Sequence, residues 1–193
     1  NKTWVNDLAQ DRPANITLSL YRTSSDEVKT KVAPSLIVAA DLILDNVWPY
    51  SFPKAPIFDN HGHTYTYTVE EAALDGYTTL IAGFGITNTL KTGELQGKTV
   101  GDNGTTVITA GFATFELRQG ATVIATRQTV SGLTTFQNIR PGVYQLIETV
   151  APEGYELNPT IYTVIVQLNA TTHNIEVTVK TGGVGGTVVP SVP

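Results

Sequence analysis

Short runs of alternating apolar and polar residues recur along the chain. This is the period-two signature of strands with one face turned into a core. In TYTYTVEE (64–71), Tyr65, Tyr67, Val69 and Glu71 share a face; in GFGITNT (83–89), Phe84, Ile86 and Asn88 do; near the start, Lys2 shares the face of Trp4. The alternation lapses in TLKTGELQG (89–97). It resumes in TVITAGFATFELR (106–118), ATVIATRQTV (121–130), TTFQNI (134–139), GVYQLIETV (142–150), TIYTVIVQL (160–168) and NIEVTV (174–179). Strands this short, punctuated by Gly, Asn, Asp and Pro about every ten residues, predict an all-β sandwich or small barrel. One stretch is ambiguous. Within 27–46, VAADLILD reads either as a short helix or as a strand, and the all-β surroundings favour strand.

The lapse divides the 193 residues into two expected domains, 1–90 and 91–182, each large enough for a modest core. The remaining 183–193, within the Gly-, Pro- and Val-rich TGGVGGTVVPSVP, reads as a flexible stalk or linker. With no Cys in the chain, disulfides and thiolate metal sites are excluded, so any covalent staple must be of another kind. Net charge is −5, with the acidic excess mostly in the first half and no basic patch, so nucleic acid is not an expected partner. No run approaches the ~20 apolar residues of a membrane span, and membrane insertion is not expected. Without a signal peptide or hydrophobic tail, the sequence reads as an excised ectodomain.

Three polar residues stand out against this pattern, because Lys2, Glu71 and Asn88 occupy the faces that should be apolar. Burying an amine, a carboxyl and an amide unpaired costs several kcal/mol each, on the order of a whole hydrogen bond or more, so a shared purpose is expected. One chemistry uses all three. The Lys2 amine attacks the Asn88 side-chain amide, the Glu71 acid shuttles protons, and ammonia leaves, producing an internal isopeptide cross-link between first and last strands. Glu70, the competing acid, falls on the face of Thr64, Thr66 and Thr68. The plain alternative is a strand-end lysine, a solvated acid and a turn asparagine. His61 and His63 in DNHGH (59–63) offer a metal pair with Asp59, but the Gly- and Asn-rich context fits a hairpin turn, so neither metal nor cofactor is expected. Asn15, Asn103 and Asn169 open glycosylation-type sequons, and Trp4 and Trp48 read as core residues.

KTWVND (2–7), RPANITLSLYR (12–22), WPYSF (48–52), YTVEEAALDGYTT (67–79) and ITNT (86–89) together resemble a CnaB-type domain, the Ig-like B-repeat module of Gram-positive collagen adhesins and pilins. The resemblance implies that Lys2 and Asn88 are the bonded pair and Glu71 the catalytic acid. The second half resembles the same superfamily through AGFATFELR (110–118), TTFQNIRPGVYQLIETVAPEGY (134–155) and KTVGDNGT (98–105) as the lysine-bearing first strand. Lys98 and Glu148 then match the lysine and acid. The last strand, HNIEVTVKTGG (173–183), puts Ile175, Val177 and Val179 on one face, and Lys180 stands where the asparagine belongs. No second bond is therefore expected, and Lys98 and Glu148 are expected as a partly buried ion pair. FPK (52–54) is similar to the pilin motif whose lysine, here Lys54, accepts a neighbouring subunit through sortase. VKTGG (179–183) lacks the Leu-Pro pair of a sorting signal.

The resemblance implies two tandem Ig-like sandwiches in an extracellular, cell-wall-anchored surface protein of a Gram-positive bacterium, most similar to an ancillary or basal pilin. Its partners would be other pilin subunits joined by sortase. The alternative is an adhesin module that binds a host extracellular-matrix protein. Neither is an enzyme beyond a single self-modifying turnover, since no nucleophile–base pair is evident in the sequence.

Overall fold

In the computed structural model the regular elements of the described residues are strands, apart from one 3-10 turn at Ala9–Asp11. Residues 1–25, 28–40, 46–101 and 104–181 are described. The undecided segment is strand as far as β3 below, while 41–45, the Asn103 sequon and the 183–193 tail lie outside the described residues. The chain divides into two units, Asn1–Leu90 and Lys91–Pro193.

The first unit contains β1 (Lys2–Val5), β2 (Asn15–Thr23), β3 (Thr30–Ala39), β4 (Val47–Trp48), β5 (Thr66–Glu71), β6 (Tyr77–Ala82) and β7 (Gly85–Leu90). One sheet runs β4-β1-β7-β6 and the other β3-β2-β5. The core joins residues of both sheets: Trp4, Trp48, Tyr77, Ile86 and Leu90 from the first, Ile16, Leu18, Val38 and Val69 from the second. Trp4 meets Trp48 at 4.8 Å and Tyr77 at 5.2 Å between ring centroids, both edge-on, the arrangement aromatic quadrupoles prefer. β1 and β7 are parallel neighbours, with Lys2 opposite Ile86 and Trp4 opposite Asn88. Chain order makes these the first and last strands of the unit.

β6 and β7 form a hairpin closed by Gly83 and Phe84, and the positive φ of 58° at Gly83 suits the first position of such a two-residue turn. The turn takes Phe84 out of the alternating pattern. Expected on the inner face with Ile86 and Asn88, Phe84 is instead exposed.

The second unit contains β8 (Gly93–Lys98), β9 (Thr114–Gln119), β10 (Thr122–Gln128), β11 (Leu133–Ile139), β12 (Gly142–Val150), β13 (Ile161–Leu168) and β14 (Ile175–Thr181). A five-stranded sheet, β10-β9-β12-β13-β14, is faced by the pair β11-β8. Leu95, Phe115, Leu117, Phe136, Tyr144, Leu146, Tyr162 and Val164 fill the space between. The opening strand lies upstream of the 98–105 segment expected to supply it. Its inner positions include Gly93, where an added Cβ would stand 2.7 Å from Val177 and 2.9 Å from Val166. Glycine is there because the facing strands approach too closely for a side chain, which erases the apolar alternation that would announce a strand.

Candidate functional site

β1, β5 and β7 bring Lys2, Glu71 and Asn88 into the first core from two facing sheets. Lys2 and Asn88 are both 0% exposed. The Lys2 amine lies 3.7 Å from Glu71 Oε1, too long for a hydrogen bond, and donates at 3.3 Å to the Thr3 carbonyl. It also sits 4.0 Å from the centroid of the Trp4 ring. Burial drives the lysine pKa down to about 8, against the opposing pull of the Glu71 and Asp7 carboxylates. The neutral amine is thus within reach near physiological pH.

Asn88 is doubly anomalous in this core, where Trp4 Nε1 also lacks a partner. Neither its Oδ1 nor its Nδ2 has a hydrogen-bond partner, and Glu71 Oε1 also lacks one. Glu71 Oε2 accepts from the Thr79 hydroxyl at 3.2 Å. Buried polar atoms in native proteins are nearly always satisfied, and each orphan costs roughly 1–3 kcal/mol. These unpartnered atoms lie in the same core that buries the Lys2 amine.

A second layer of charge borders the site, one that the sequence reading did not single out. Arg12 donates to both oxygens of Asp7, at 2.9 and 3.1 Å, and the Tyr77 hydroxyl donates to Asp7 Oδ2 at 3.1 Å. Burial, with Asp7 adding to it, pushes the Tyr77 hydroxyl pKa well up. Asp7 and Arg12 follow β1 as an opposite-charge pair, which is a local signal. Tyr77 is brought in only by the fold.

The second unit does not repeat the constellation. Glu148 is buried with Tyr144 and Leu146, accepts the Asn158 backbone N–H at 2.8 Å, and has its pKa raised by that burial. Lys98 lies on the opposite parity of β8 from the buried Leu95, with the exposed Glu94 and Gln96. Among the described residues the two form no ion pair, so the expected contact is absent, for that reason of parity. On β14, Ile175, Val177 and Val179 pack toward the core, and Lys180 is exposed.

Lys54 is exposed in the irregular segment after β4. Beside it is an open apolar groove of about 510 Å³, lined by Leu20, Tyr50, Phe52, Ala55, Tyr67 and Phe84 among others. Asp59, the centre of the weighed metal pair, accepts from Ser24 at 2.7 Å and from the backbone N–H groups of His61 and His63 at 2.9 and 2.8 Å. It braces a hairpin turn. Among the described residues no three metal-ligating side chains gather, and no helix is long and apolar enough to cross a membrane.

Residues 1–89 match the family described as Cna protein B-type domain, and residues 82–181 match the prealbumin-like fold domain. No curated protein is a significant match. Among solved structures, a single B repeat unit of the collagen-binding surface protein of Staphylococcus aureus is 23% identical, with 93% of this chain and 94% of that one covered and a TM-score of 0.37. The pilus adhesin SpaC of Lactobacillus rhamnosus GG is 22% identical, with 98% of this chain but only 24% of that one covered and a TM-score of 0.34.

Proposed function

The chain belongs to the prealbumin-like fold domain family, with a Cna protein B-type domain in its first half, and from this we propose that it is a structural segment of a Gram-positive surface pilus or adhesin stalk whose first unit is locked by a Lys2–Asn88 isopeptide bond. The observation that carries the reading is the buried Asn88 amide, unpartnered at both polar atoms, in a core that also holds Lys2 and Glu71.

The chemistry follows from that arrangement. Transfer of one proton from the Lys2 ammonium to Glu71 frees the amine as a nucleophile and makes the carboxyl a general acid. The amine nitrogen attacks Asn88 Cγ, while the acid polarises Oδ1. The new C–N bond forms, the bond to Nδ2 breaks, and the amine proton passes through Glu71 to the departing nitrogen, which leaves as ammonia. Holding amine and amide in place supplies much of the acceleration, since well-oriented intramolecular reactions gain roughly 7–11 kcal/mol. The product relieves the anomaly: Nδ2 is gone, and the protonated acid can donate to the new amide oxygen.

A bond between β1 and β7 would join the two strands nearest the unit's ends. Tension entering at Asn1 and leaving at Leu90 would then run through a covalent bridge, leaving the sandwich between them unloaded. Such a link suits a stalk on the wall-anchored exterior and survives reducing agents. Intact mass tests it: the folded chain is expected one ammonia lighter than its sequence, and Glu71→Ala is expected at full mass. A wild-type chain at full mass would refute the bond. Incubating the chain with sortase and a sorting-signal peptide tests the pilus role, with conjugation expected at Lys54 and lost in Lys54→Ala.

One observation favours a second reading, an adhesin module for a host matrix protein. The groove walled by Tyr50, Phe52, Tyr67 and Phe84 is the kind of concave aromatic surface that ligands use. Binding screens against collagen, fibronectin and fibrinogen, repeated with Phe52→Ala, separate it from the stalk.

A further inference from the structure

The Asp7–Arg12 pair has no part in the bond-forming steps just described, yet it is buried at the edge of the reacting groups. The side chains are only 1% and 6% exposed. Lys2 Nζ lies 4.0 Å from the centroid of the Trp4 indole, Arg12 Cζ lies 5.8 Å from it, and the Tyr77 ring lies 5.2 Å from it. Three donor contacts, two from Arg12 and one from Tyr77, engage both oxygens of Asp7. A bidentate guanidinium holds a carboxylate by two charge-assisted hydrogen bonds, each roughly twice as strong as a neutral one, and fixes its orientation.

Resting on the cross-link reading, we infer that Arg12 is a positioning residue for it: by clamping Asp7 it withholds a second carboxylate from the Lys2 amine and leaves Glu71 as the acid that amine answers to. The distinction matters because Asp7 and Glu71 have opposite value to the reaction. Glu71 comes from the facing sheet and can pass a proton onward to Asn88. Asp7, in the turn after β1, would only hold the lysine as an ammonium, which is no nucleophile. The titratable groups around Lys2 are few. Glu71 faces it from β5, with Tyr50 from the segment after β4 close enough to feel that carboxylate. Asp7 and Arg12 act from the turn after β1, and Tyr77, on β6, hydrogen-bonds Asp7 and the Asp11 carbonyl. β2 contributes Ile16 and Leu18, and β7 contributes Asn88 and Ile86, none of which titrates.

The two members of the pair should therefore shift the reaction in opposite directions. Removing Arg12 bares the Asp7 charge, favours the ammonium and moves the reaction to higher pH. Removing the Asp7 charge leaves Arg12 uncompensated, disfavours the ammonium and moves it to lower pH.

The test uses the full chain, recovered unfolded and at full mass from inclusion bodies, then refolded between pH 5 and 9 while ammonia loss is followed by intact mass. Arg12→Gln is expected to react about tenfold more slowly at pH 7, with its pH midpoint raised by about one unit, since one unit of pKa is a tenfold change in free amine. Asp7→Asn is expected to lower the midpoint. A merely structural pair predicts slower reaction in both variants with unmoved midpoints, and that result, or shifts in the same direction, overturns the inference. If tryptophan fluorescence shows either single variant unfolded, the double variant Asp7→Asn/Arg12→Gln decides. A rate within about threefold of wild type supports the inference, and a loss beyond tenfold overturns it. Wild-type chain that refolds and keeps its full mass removes the cross-link itself, an outcome distinct from these.

Discussion

Replacing Asn88 with leucine, a residue of similar size, should change stability in a direction that depends on whether the cross-link exists. If Asn88 is an unmodified core amide, Asn88→Leu removes two buried polar atoms that lack partners. Each such atom costs roughly 1–3 kcal/mol, so the variant should be as stable as wild type or several kcal/mol more so. If Asn88 is bonded to Lys2, the substitution opens a closed loop of roughly 90 residues, and the chain-entropy treatment of cross-links assigns that loop about 4–5 kcal/mol. For a domain of this size 1 kcal/mol corresponds to about 4–8 °C, so the first unit should melt about 16–40 °C lower. Both tryptophans of the chain, Trp4 and Trp48, are 2% exposed in the first core, so their fluorescence reports this unit alone. Thermal and urea unfolding of both proteins by tryptophan emission is the assay. An Asn88→Leu transition at or above that of wild type would refute the bonded reading.

Three further predictions concern other parts of the molecule. Gly93→Ala forces a methyl against Val177 and Val166 and should cost about 1–3 kcal/mol, lowering only the second unit's calorimetric transition. Burial raises the Glu148 pKa, so the folded state holds a proton that the unfolded state releases above about pH 4.5. Stability of that unit should therefore be fullest in mild acid and fall as pH rises through the folded pKa. Glu148→Gln, which keeps an acceptor for Asn158, should flatten that dependence and raise the neutral-pH melting temperature; an unchanged pH profile would count against the burial argument. At Asp59 burial works to raise the pKa, but the hydrogen bonds from Ser24, His63 and His61 outweigh it and hold the carboxyl low. Its contribution should be complete above about pH 4 and disappear as pH falls through the folded value. Asp59→Ala should make the 58–64 turn a new site of proteolytic nicking at neutral pH.

Period-two alternation carried much of this fold, because inward and outward residues differ sharply in most strands. β12 and β13 were legible to within a residue, and Lys2 and Asn88 could be assigned to inner faces by parity alone. Three features escaped for separate physical reasons. β8 was hidden because close packing demands glycine at an inner position, so absence of a side chain, not its polarity, marks the buried face there. Phe84 was placed inside because parity counting runs straight through a two-residue turn that breaks it. The Tyr77–Asp7 contact joins residues far apart in sequence, and no local pattern can report a hydrogen bond made by the sandwich closing.

The parallel pairing of β1 with β7 also fixes when the first unit can finish folding. β1 has only β4 and β7 as sheet partners, and both follow it in the chain. Lys2 can pair with Trp48 of β4 early, but its other side has no strand until β7, the last of the unit, has emerged and closed alongside it. Such distant pairings form late, after the rest of the topology is committed. A covalent lock at Lys2 and Asn88 would thus set only on a chain that had already found its native arrangement, leaving every earlier stage of folding reversible.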